Sequence, residues 1–148
     1  DYYTYVVTGD GELDEGSNWE GLMTIRHYNL TNCITIVDRN HCMIDGNTED
    51  VMKLEPLADK FVAFGFHTIV CEGNNIVSLC KAIDEAHKTK DKPTVIVADT
   101  IKGVGIKLTS GNYKWHYGAI DEEMAKVAAK DLDEYSAERI ARCGKEFE

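Results

Sequence analysis

Acidic and amide side chains follow two β-branched, apolar stretches of the sequence. The first turn, at positions 9–12, reads Gly-Asp-Gly-Glu and contains Asp10; the second, at positions 38–40, reads Asp-Arg-Asn and ends with Asn40. Carboxylate and amide oxygens are hard ligands of the kind that Mg2+ takes together with substrate phosphates. In an open parallel sheet, ligands bind outside the carboxyl ends of the strands, so we expect Asp10 and Asn40 to lie side by side. The pattern indicates a divalent-cation site.

Two other motifs that contain glycine and aspartate do not fit this region. A dinucleotide-binding fingerprint needs a third glycine, but the position three residues beyond the second glycine holds Asp14. A calcium-binding loop that opened at Asp10 would need glycine at its sixth position and glutamate at its twelfth, and these positions hold Glu15 and Gly21. A lone Gly-Asp-Gly is weak evidence, because both residue types are common in turns. The pairing of Asp10 with Asn40 after two successive strands is what favours the metal site.

Strand-like and helix-like patterns alternate along the chain. Apolar, β-branched runs predict strands at 2–8, 33–37, 66–71 and 94–98, and helical patterns predict helices at 17–30, 56–63, 76–88, 121–130 and 134–142. This alternation predicts an α/β fold with a parallel β-sheet flanked by helices. Because preceding elements normally cover a central parallel strand, we expect the fold to be incomplete at the amino end. The last helix should end at Gly144, before a charged tail.

Composition and charge narrow the classes of function. The 148 residues fit one domain with a sizeable core, and the net charge of −10 argues against nucleic-acid binding, which needs a basic surface. No apolar run approaches the roughly 20 residues of a membrane span, and no secretory signal is visible at the amino end. The five cysteines form no Cys-x-x-Cys pair, and their odd number favours a reducing, cytoplasmic location.

The motifs and their order resemble the transketolase family of thiamine-diphosphate enzymes. The two turns are similar to the thiamine-diphosphate motif, which opens with Gly-Asp-Gly and closes with Asn, and positions 9–20, 44–46 and 115–116 resemble the transketolase branch in particular. The likeness extends from about residue 5 to about residue 124. It implies the thiamine-diphosphate-binding fold, with residues 1–148 as the carboxyl-terminal portion of the diphosphate-binding domain.

The resemblance implies a set of ligands for the metal ion of the cofactor. The Asp10 carboxylate, the Asn40 side-chain oxygen and the backbone carbonyl of Cys42 would hold Mg2+, or Ca2+ or Mn2+ in its place. Gly9 and Gly11 would let the backbone approach the phosphates closely. Cys42 stands where the family has an apolar aliphatic residue, a change that a main-chain ligand tolerates.

Four further side chains are candidate site residues by the same resemblance. Glu15 and Glu20 would join a carboxylate network at the subunit interface, where neighbouring negative charges raise each other's pKa; otherwise they are solvated charges at a helix start. His116 would reach the diphosphate and the sugar and take part in proton transfer, although Tyr117 stands where glycine is expected to follow it. Ile44 would pack against the cofactor ring, or else belong to the core.

The resulting hypothesis is one chain of a transketolase-type transferase that moves a two-carbon ketol unit between sugar phosphates. Partner chains would supply the pyrimidine-binding domain and the missing amino-terminal segment, and the active assembly would be an oligomer. A first alternative is a non-catalytic module that binds thiamine diphosphate or scaffolds the partner chain. A second alternative is another thiamine-diphosphate enzyme, such as a relative of deoxyxylulose-phosphate synthase or of a keto-acid dehydrogenase.

Overall fold

The chain folds around a four-stranded parallel β-sheet. The computed structural model describes the backbone of residues 2–143 and the side chains of residues 2–142. The strands are β1 (Thr4–Gly9), β2 (Cys33–Arg39), β3 (His67–Glu72) and β4 (Thr94–Asp99), in the spatial order β1-β2-β4-β3. Every strand pair is parallel, so the four carboxyl ends meet at one edge of the sheet. The predicted α/β fold is confirmed.

Helices connect the strands and follow the last one. They are α1 (Gly16–His27), α2 (Thr48–Val51), α3 (Leu57–Ala63), α4 (Ile76–Lys88) and α5 (Glu122–Cys143), with short 3-10 turns at Gly11–Asp14 and Tyr113–Trp115. The helix predicted at 17–30 ends earlier, at His27, because Asn29 takes a positive φ of 49° that turns the chain. None of the helices within residues 2–143 is both long enough and apolar enough to cross a membrane.

The two helices predicted after residue 120 form one continuous helix, α5, so their separation was predicted wrongly. The intervening residues, 131–133, include no glycine or proline that would break a helix. Asp131, which interrupts the apolar pattern, is buried because it binds a neighbouring segment of the chain. The predicted helix end at Gly144 and the charged tail lie outside the described residues.

Helices cover both faces of the central strands. On one face, α1 and α3 enclose a core of nine buried residues: Leu13, Leu22, Val37, Leu54, Leu57, Phe61, Phe66, Val95 and Val97. On the other face, α4 packs on a smaller cluster, formed by Ile34, Ala82, Ala86 and Ile96. Because successive residues of a strand point to opposite faces, β2 and β4 contribute to both cores. This explains the unalternating apolar sequence of these two strands.

Strand β1 lies at an edge of the sheet, and one of its faces is open. Tyr5 and Val7, on the side of α4, are 46% and 67% exposed, whereas Thr8 on the opposite side is buried. The expectation that further structure covers this strand stays a prediction.

The four cysteines whose side chains are described are free thiols: Cys33, Cys42, Cys71 and Cys80. Burial raises the pKa of the first three. They are therefore protonated near neutral pH and pack as small apolar side chains.

Gly73 is required by the close approach of the turn after β3 to the end of β4. Its N–H donates to the Asp99 carbonyl at 2.7 Å, and an added Cβ would overlap Thr100 Cγ2 and lie 3.0 Å from the Ala98 backbone. Gly73→Ala should therefore lower the free energy of unfolding by about 1–3 kcal/mol, as measured by urea denaturation. In the matched control Gly21→Ala, the new Cβ meets nothing within 4 Å, so the α1 helix should gain about 0.5–1 kcal/mol. Equal effects of the two substitutions would contradict this account.

Candidate functional site

The turn after β1 buries a carboxylate at the carboxyl end of the sheet. The Asp10 N–H donates to the Asp38 carbonyl at 3.0 Å and so extends the pairing of β1 with β2. Asp10 Oδ1 accepts from the Gly11 N–H at 2.9 Å and caps the 3-10 turn that follows. Asp10 is 0% exposed, so its charge needs polar partners within the protein.

These partners come from the segment that follows β2. Asp10 Oδ2 accepts from the backbone N–H of His41 at 2.7 Å and from Arg39 Nη1 at 2.8 Å. Arg39 and His41 are the two sequence neighbours of Asn40, so the two turns meet at the sheet edge as the parallel topology predicted.

Asn40 is oriented by a second carboxylate. Its Nδ2 donates to Asp38 Oδ2 at 3.1 Å, and its Oδ1 accepts from the Cys42 N–H at 3.1 Å. Asp38 is held in turn by the hydroxyl of Thr100, which follows β4. The amide oxygen of Asn40 therefore faces Cys42. This role of Asp38 was not predicted from the sequence, although residues two apart at the end of a strand share a face.

The backbone carbonyl of Cys42 is available as a third oxygen. Residues 41–48 form a tight hairpin, closed by backbone hydrogen bonds of 2.9 and 3.0 Å on either side of the pair of Cys42 with Asn47. In such a pair, the N–H and the C=O of each residue face away from the partner residue. The Cys42 N–H faces away and binds the side chain of Asn40, and no backbone N–H in residues 2–143 donates a hydrogen bond to the Cys42 carbonyl.

The three oxygens fit a divalent cation. One carboxylate, one amide oxygen and one main-chain carbonyl are hard donors, and they leave positions for phosphate oxygens and water, as Mg2+ prefers. Asp10 Oδ1 accepts a single hydrogen bond and keeps a lone pair for a cation. Within the described part of the chain, no group of three or more His, Cys, Asp or Glu side chains forms another candidate metal site. The metal-binding role of Asp10, Asn40 and Cys42 stays a prediction.

Both glycines of the first turn have hydrogen-bonded N–H groups, and Gly11 also packs closely against the neighbouring hairpin. The Gly9 N–H donates to Glu12 Oε2 at 2.6 Å and the Gly11 N–H donates to Asp10, so both groups are used within the turn. A Cβ on Gly11 would lie 3.0 Å from Met43 Cβ, so glycine is favoured there by close packing against the 41–48 hairpin. The expected approach of both glycines to phosphates stays a prediction.

Carboxylates accumulate where α1 begins. Glu15 directly precedes the helix and Glu20 lies within it; both are exposed, and neither forms an ion pair within residues 2–142. Partial desolvation raises the pKa of the Asp14 carboxyl, although this side chain is exposed, and the charges of Asp10 and Glu15 raise it further. The local potential is thus negative and attracts cations. The interface network expected for Glu15 and Glu20 stays a prediction.

Ile44 and His116 are both exposed. Ile44 lies in the 41–48 hairpin with 56% of its surface exposed, so the alternative that it is a core residue was wrong. His116 follows the 3-10 turn Tyr113–Trp115, and its ring lies edge-on to Tyr117 with the centroids 6.3 Å apart. Among the described residues, no hydrogen bond or ring contact joins the His116 side chain to Asp10 or Asn40. Its role at the diphosphate stays a prediction.

Helix α5 fastens the segment that leads to His116. Asp131 Oδ2 accepts from the Lys107 N–H at 2.9 Å, and Lys107 Nζ pairs with Glu134 at 2.6 Å. The Lys107 N–H lowers the pKa of Asp131 most strongly; burial opposes this shift, and the Lys107 ammonium group lowers the pKa further. The ionised form of Asp131 is therefore the form that holds the segment.

Asp131→Asn should loosen this segment at neutral pH. The pKa of Asp131 is lower in the folded state than in the unfolded state. The carboxylate therefore stabilises the fold at pH values above the unfolded-state pKa, and this contribution is lost as the pH falls through the folded-state pKa. Hydrogen exchange of the Lys107 amide should be roughly tenfold faster in the variant at neutral pH. The thermal stabilities of variant and wild type should converge in acid. Glu123→Gln, on the exposed start of α5, should leave the exchange rate of the Lys107 amide unchanged. An unchanged exchange rate in Asp131→Asn would contradict the fastening role.

Comparisons with known proteins agree with one another. The family model described as the thiamine-diphosphate-binding domain of transketolase matches residues 1–137. One of the subunits of the apulose-4-phosphate transketolase of Phocaeicola vulgatus is 36% identical over 146 residues, which cover 99% of this chain and 50% of that protein. The 6-deoxy-6-sulfo-D-fructose transketolase subunit SqwG of Clostridium sp. is 38% identical over 133 residues, which cover 90% of this chain and 48% of that protein. This chain spans about half the length of these relatives.

Solved transketolase structures contain the same fold. The crystal structure of transketolase from Campylobacter jejuni matches with a TM-score of 0.82 and 30% identity, covering 90% of this chain and 21% of that one. Transketolase from Leishmania mexicana matches with a TM-score of 0.68 and 32% identity, covering 95% of this chain and 24% of that one.

Proposed function

Because this chain belongs to the transketolase family, we propose that it is the diphosphate-binding part of an enzyme that transfers a two-carbon ketol unit from a ketose phosphate to an aldose phosphate. The observation that carries the proposal is the meeting of the two turns at the carboxyl ends of β1 and β2: Asp10 binds the His41 N–H, and Asn40 binds the Cys42 N–H. The relatives that are named as single subunits of transketolases support a role as one chain of a multi-chain enzyme.

The three oxygens would hold Mg2+, or Mn2+ or Ca2+ in its place, against the diphosphate of thiamine diphosphate. A chain with a net charge of −10 needs such a cation to bind a polyanion. Asp38 keeps the amide oxygen of Asn40, and not its nitrogen, turned toward the Cys42 side of the site. Gly9 and Gly11 would bring the first turn close to the phosphates.

The bound cofactor supplies a carbanion and an electron sink for carbon–carbon bond chemistry beside a carbonyl. The residues of this chain would place and protect the reacting centre. Exposed Ile44 offers an apolar surface to the cofactor ring. His116 would donate a hydrogen bond or a proton from its imidazole to the phosphate or the sugar. Glu15 and Glu20 would share a proton with carboxylates across an interface between chains.

Partner chains would complete the active site. One of them would contribute the pyrimidine-binding domain. The open face of β1, with Tyr5 and Val7, offers an apolar surface against which added structure would pack. The proposed assembly is an oligomer that acts on sugar phosphates in the cytoplasm.

The first test is native mass spectrometry of the assembly that is purified with this chain, followed by assays with a panel of ketose phosphates and aldose phosphates. We expect companion chains, bound thiamine diphosphate, a divalent metal ion and ketol transfer between members of the panel. An intact assembly that binds the cofactor but turns over no pair would favour the non-catalytic module. An intact assembly that binds neither cofactor nor metal would overturn the proposal.

A further inference from the structure

Arg39, the last residue of β2, is 2% exposed and stands beside the proposed metal site. Its guanidinium group carries five N–H groups, and the structure gives it five hydrogen bonds. Nη1 donates to Asp10 Oδ2 (2.8 Å) and to Thr48 Oγ1 (2.5 Å), Nη2 donates to Glu49 Oε1 (2.9 Å) and Glu55 Oε1 (2.9 Å), and Nε donates to Glu55 Oε1 (3.1 Å). An arginine with every donor used is a fixed part of the fold.

Arg39 is linked to each of the three proposed ligands, by a hydrogen bond, by the chain or through the hairpin. Asp10 is contacted directly, and Asn40 is the next residue of the chain. Cys42 lies in the 41–48 hairpin, whose base is closed by the Thr48 N–H on the His41 carbonyl at 3.0 Å. Because Arg39 also binds the Thr48 hydroxyl, it fixes the end of the hairpin relative to Asp10.

The carboxylate of Asp10 is held asymmetrically. Oδ2 accepts two hydrogen bonds, from Arg39 and from the His41 N–H, whereas Oδ1 accepts one, from the Gly11 N–H. Arg39 thus sets the rotation of the carboxylate and leaves Oδ1 as the oxygen with a spare lone pair.

We infer, on the basis of the proposed function, that Arg39 is a positioning residue of the metal site: it sets the Asp10 carboxylate and the 41–48 hairpin in the arrangement that binds the cation, without contacting cation or cofactor. A guanidinium group also repels a cation, and this effect alone would make its removal tighten metal binding. Arg39→Lys keeps this positive charge and removes only the fork of donors that binds Asp10, Glu49 and Glu55, so weaker metal binding in that variant reports the loss of positioning.

The test is Mn2+ binding to the assembled enzyme in the presence of thiamine diphosphate, with free Mn2+ measured by electron paramagnetic resonance. Loss of a group that orients a metal ligand typically weakens metal affinity about 10–100-fold, and we expect this for Arg39→Met. The Mn2+ affinity of Arg39→Lys should fall almost as much, because a point-like ammonium group does not reproduce the planar set of N–H donors of a guanidinium group. The spectrum of bound Mn2+ should also change in both variants, which a purely structural role far from the metal would not cause. Arg26→Lys, in the last turn of α1, is the matched control and should bind Mn2+ like wild type.

Thr48→Val keeps the inference testable if the Arg39 variants do not fold. It removes the hydroxyl that Arg39 binds while keeping the size of the side chain, and it should weaken Mn2+ binding by roughly tenfold. Wild-type affinity or tighter binding in folded Arg39→Lys and Thr48→Val, with binding lost in Asp10→Asn, would overturn the positioning role and leave the proposed function intact. No Mn2+ binding by the wild-type assembly would overturn both.

Discussion

Asp10→Asn should abolish metal-dependent binding of thiamine diphosphate. Asparagine has the size of aspartate, but it removes the negative charge and replaces one oxygen by an NH2 group. This group either takes the place of Oδ1, the proposed metal-binding oxygen, or faces the N–H donors of Arg39 and His41. Loss of a direct ligand should weaken Mn2+ affinity at least about 100-fold, the upper end of the effect of losing an orienting partner. Ketol-transfer activity should fall with it.

Thermal denaturation separates binding from folding in this variant. Wild type should be stabilised by about 2.7 kcal/mol when metal and cofactor are present at 100 times their dissociation constant. Asp10→Asn should lose this ligand-dependent gain, and its ligand-free form should also be less stable, because the buried Arg39 loses its one buried carboxylate partner. Asp14→Asn, the same substitution at an exposed carboxylate four positions later, should retain the gain. Ligand-dependent stabilisation of Asp10→Asn equal to that of wild type would rule out Asp10 as a ligand.

Phe61→Ala should have the largest effect on stability among the substitutions considered. Phe61 is 0% exposed on α3 and stacks on Trp19 with ring centroids 5.6 Å apart. Removing a buried aromatic ring leaves a cavity and costs about 3–5 kcal/mol. Trp19 Nε1 also donates to the Leu13 carbonyl at 2.6 Å, so the cavity would loosen the 3-10 turn that Asp10 caps.

Urea denaturation followed by tryptophan fluorescence measures this loss. The neighbouring change Val62→Ala is the matched control: Val62 is 59% exposed, so its truncation should change the free energy of unfolding by no more than about 0.5 kcal/mol. A loss below about 1 kcal/mol in Phe61→Ala would mean that α3 does not hold the core of this face.

The fold was predictable because its signals are local. Unalternating apolar runs marked β2 and β4, which are buried on both faces, and the turns between the runs marked the ends of the strands. The meeting of Asp10 with the neighbours of Asn40 followed from parallel topology alone, since parallel strands bring their carboxyl ends to one edge.

The parts of the site that were not predicted depend on contacts between residues distant in sequence. The sequence around Asp38 does not indicate that Thr100 binds it, and the sequence around Arg39 does not indicate that acidic side chains from a later segment cover it. A charged side chain at the end of a strand is usually exposed, so burial of Arg39 runs against its residue type. The segment before His116 has no apolar periodicity, so its path is set by α5, through the bond of Asp131 to Lys107.

The hairpin that turns the Cys42 carbonyl outward also bears on which metals the site would select. The Cys42 side chain is 5% exposed, and its pKa is raised by burial, so the sulfur stays protonated in the interior. Thiolate sulfur is the ligand that makes a site bind zinc, cadmium and cuprous ions more tightly than magnesium. A cysteine in this position therefore adds no preference for soft metals and offers little sulfur to oxidants. Magnesium selectivity at this site would follow from the direction in which one peptide unit faces, and protection of the Cys42 sulfur from oxidants would follow from its burial.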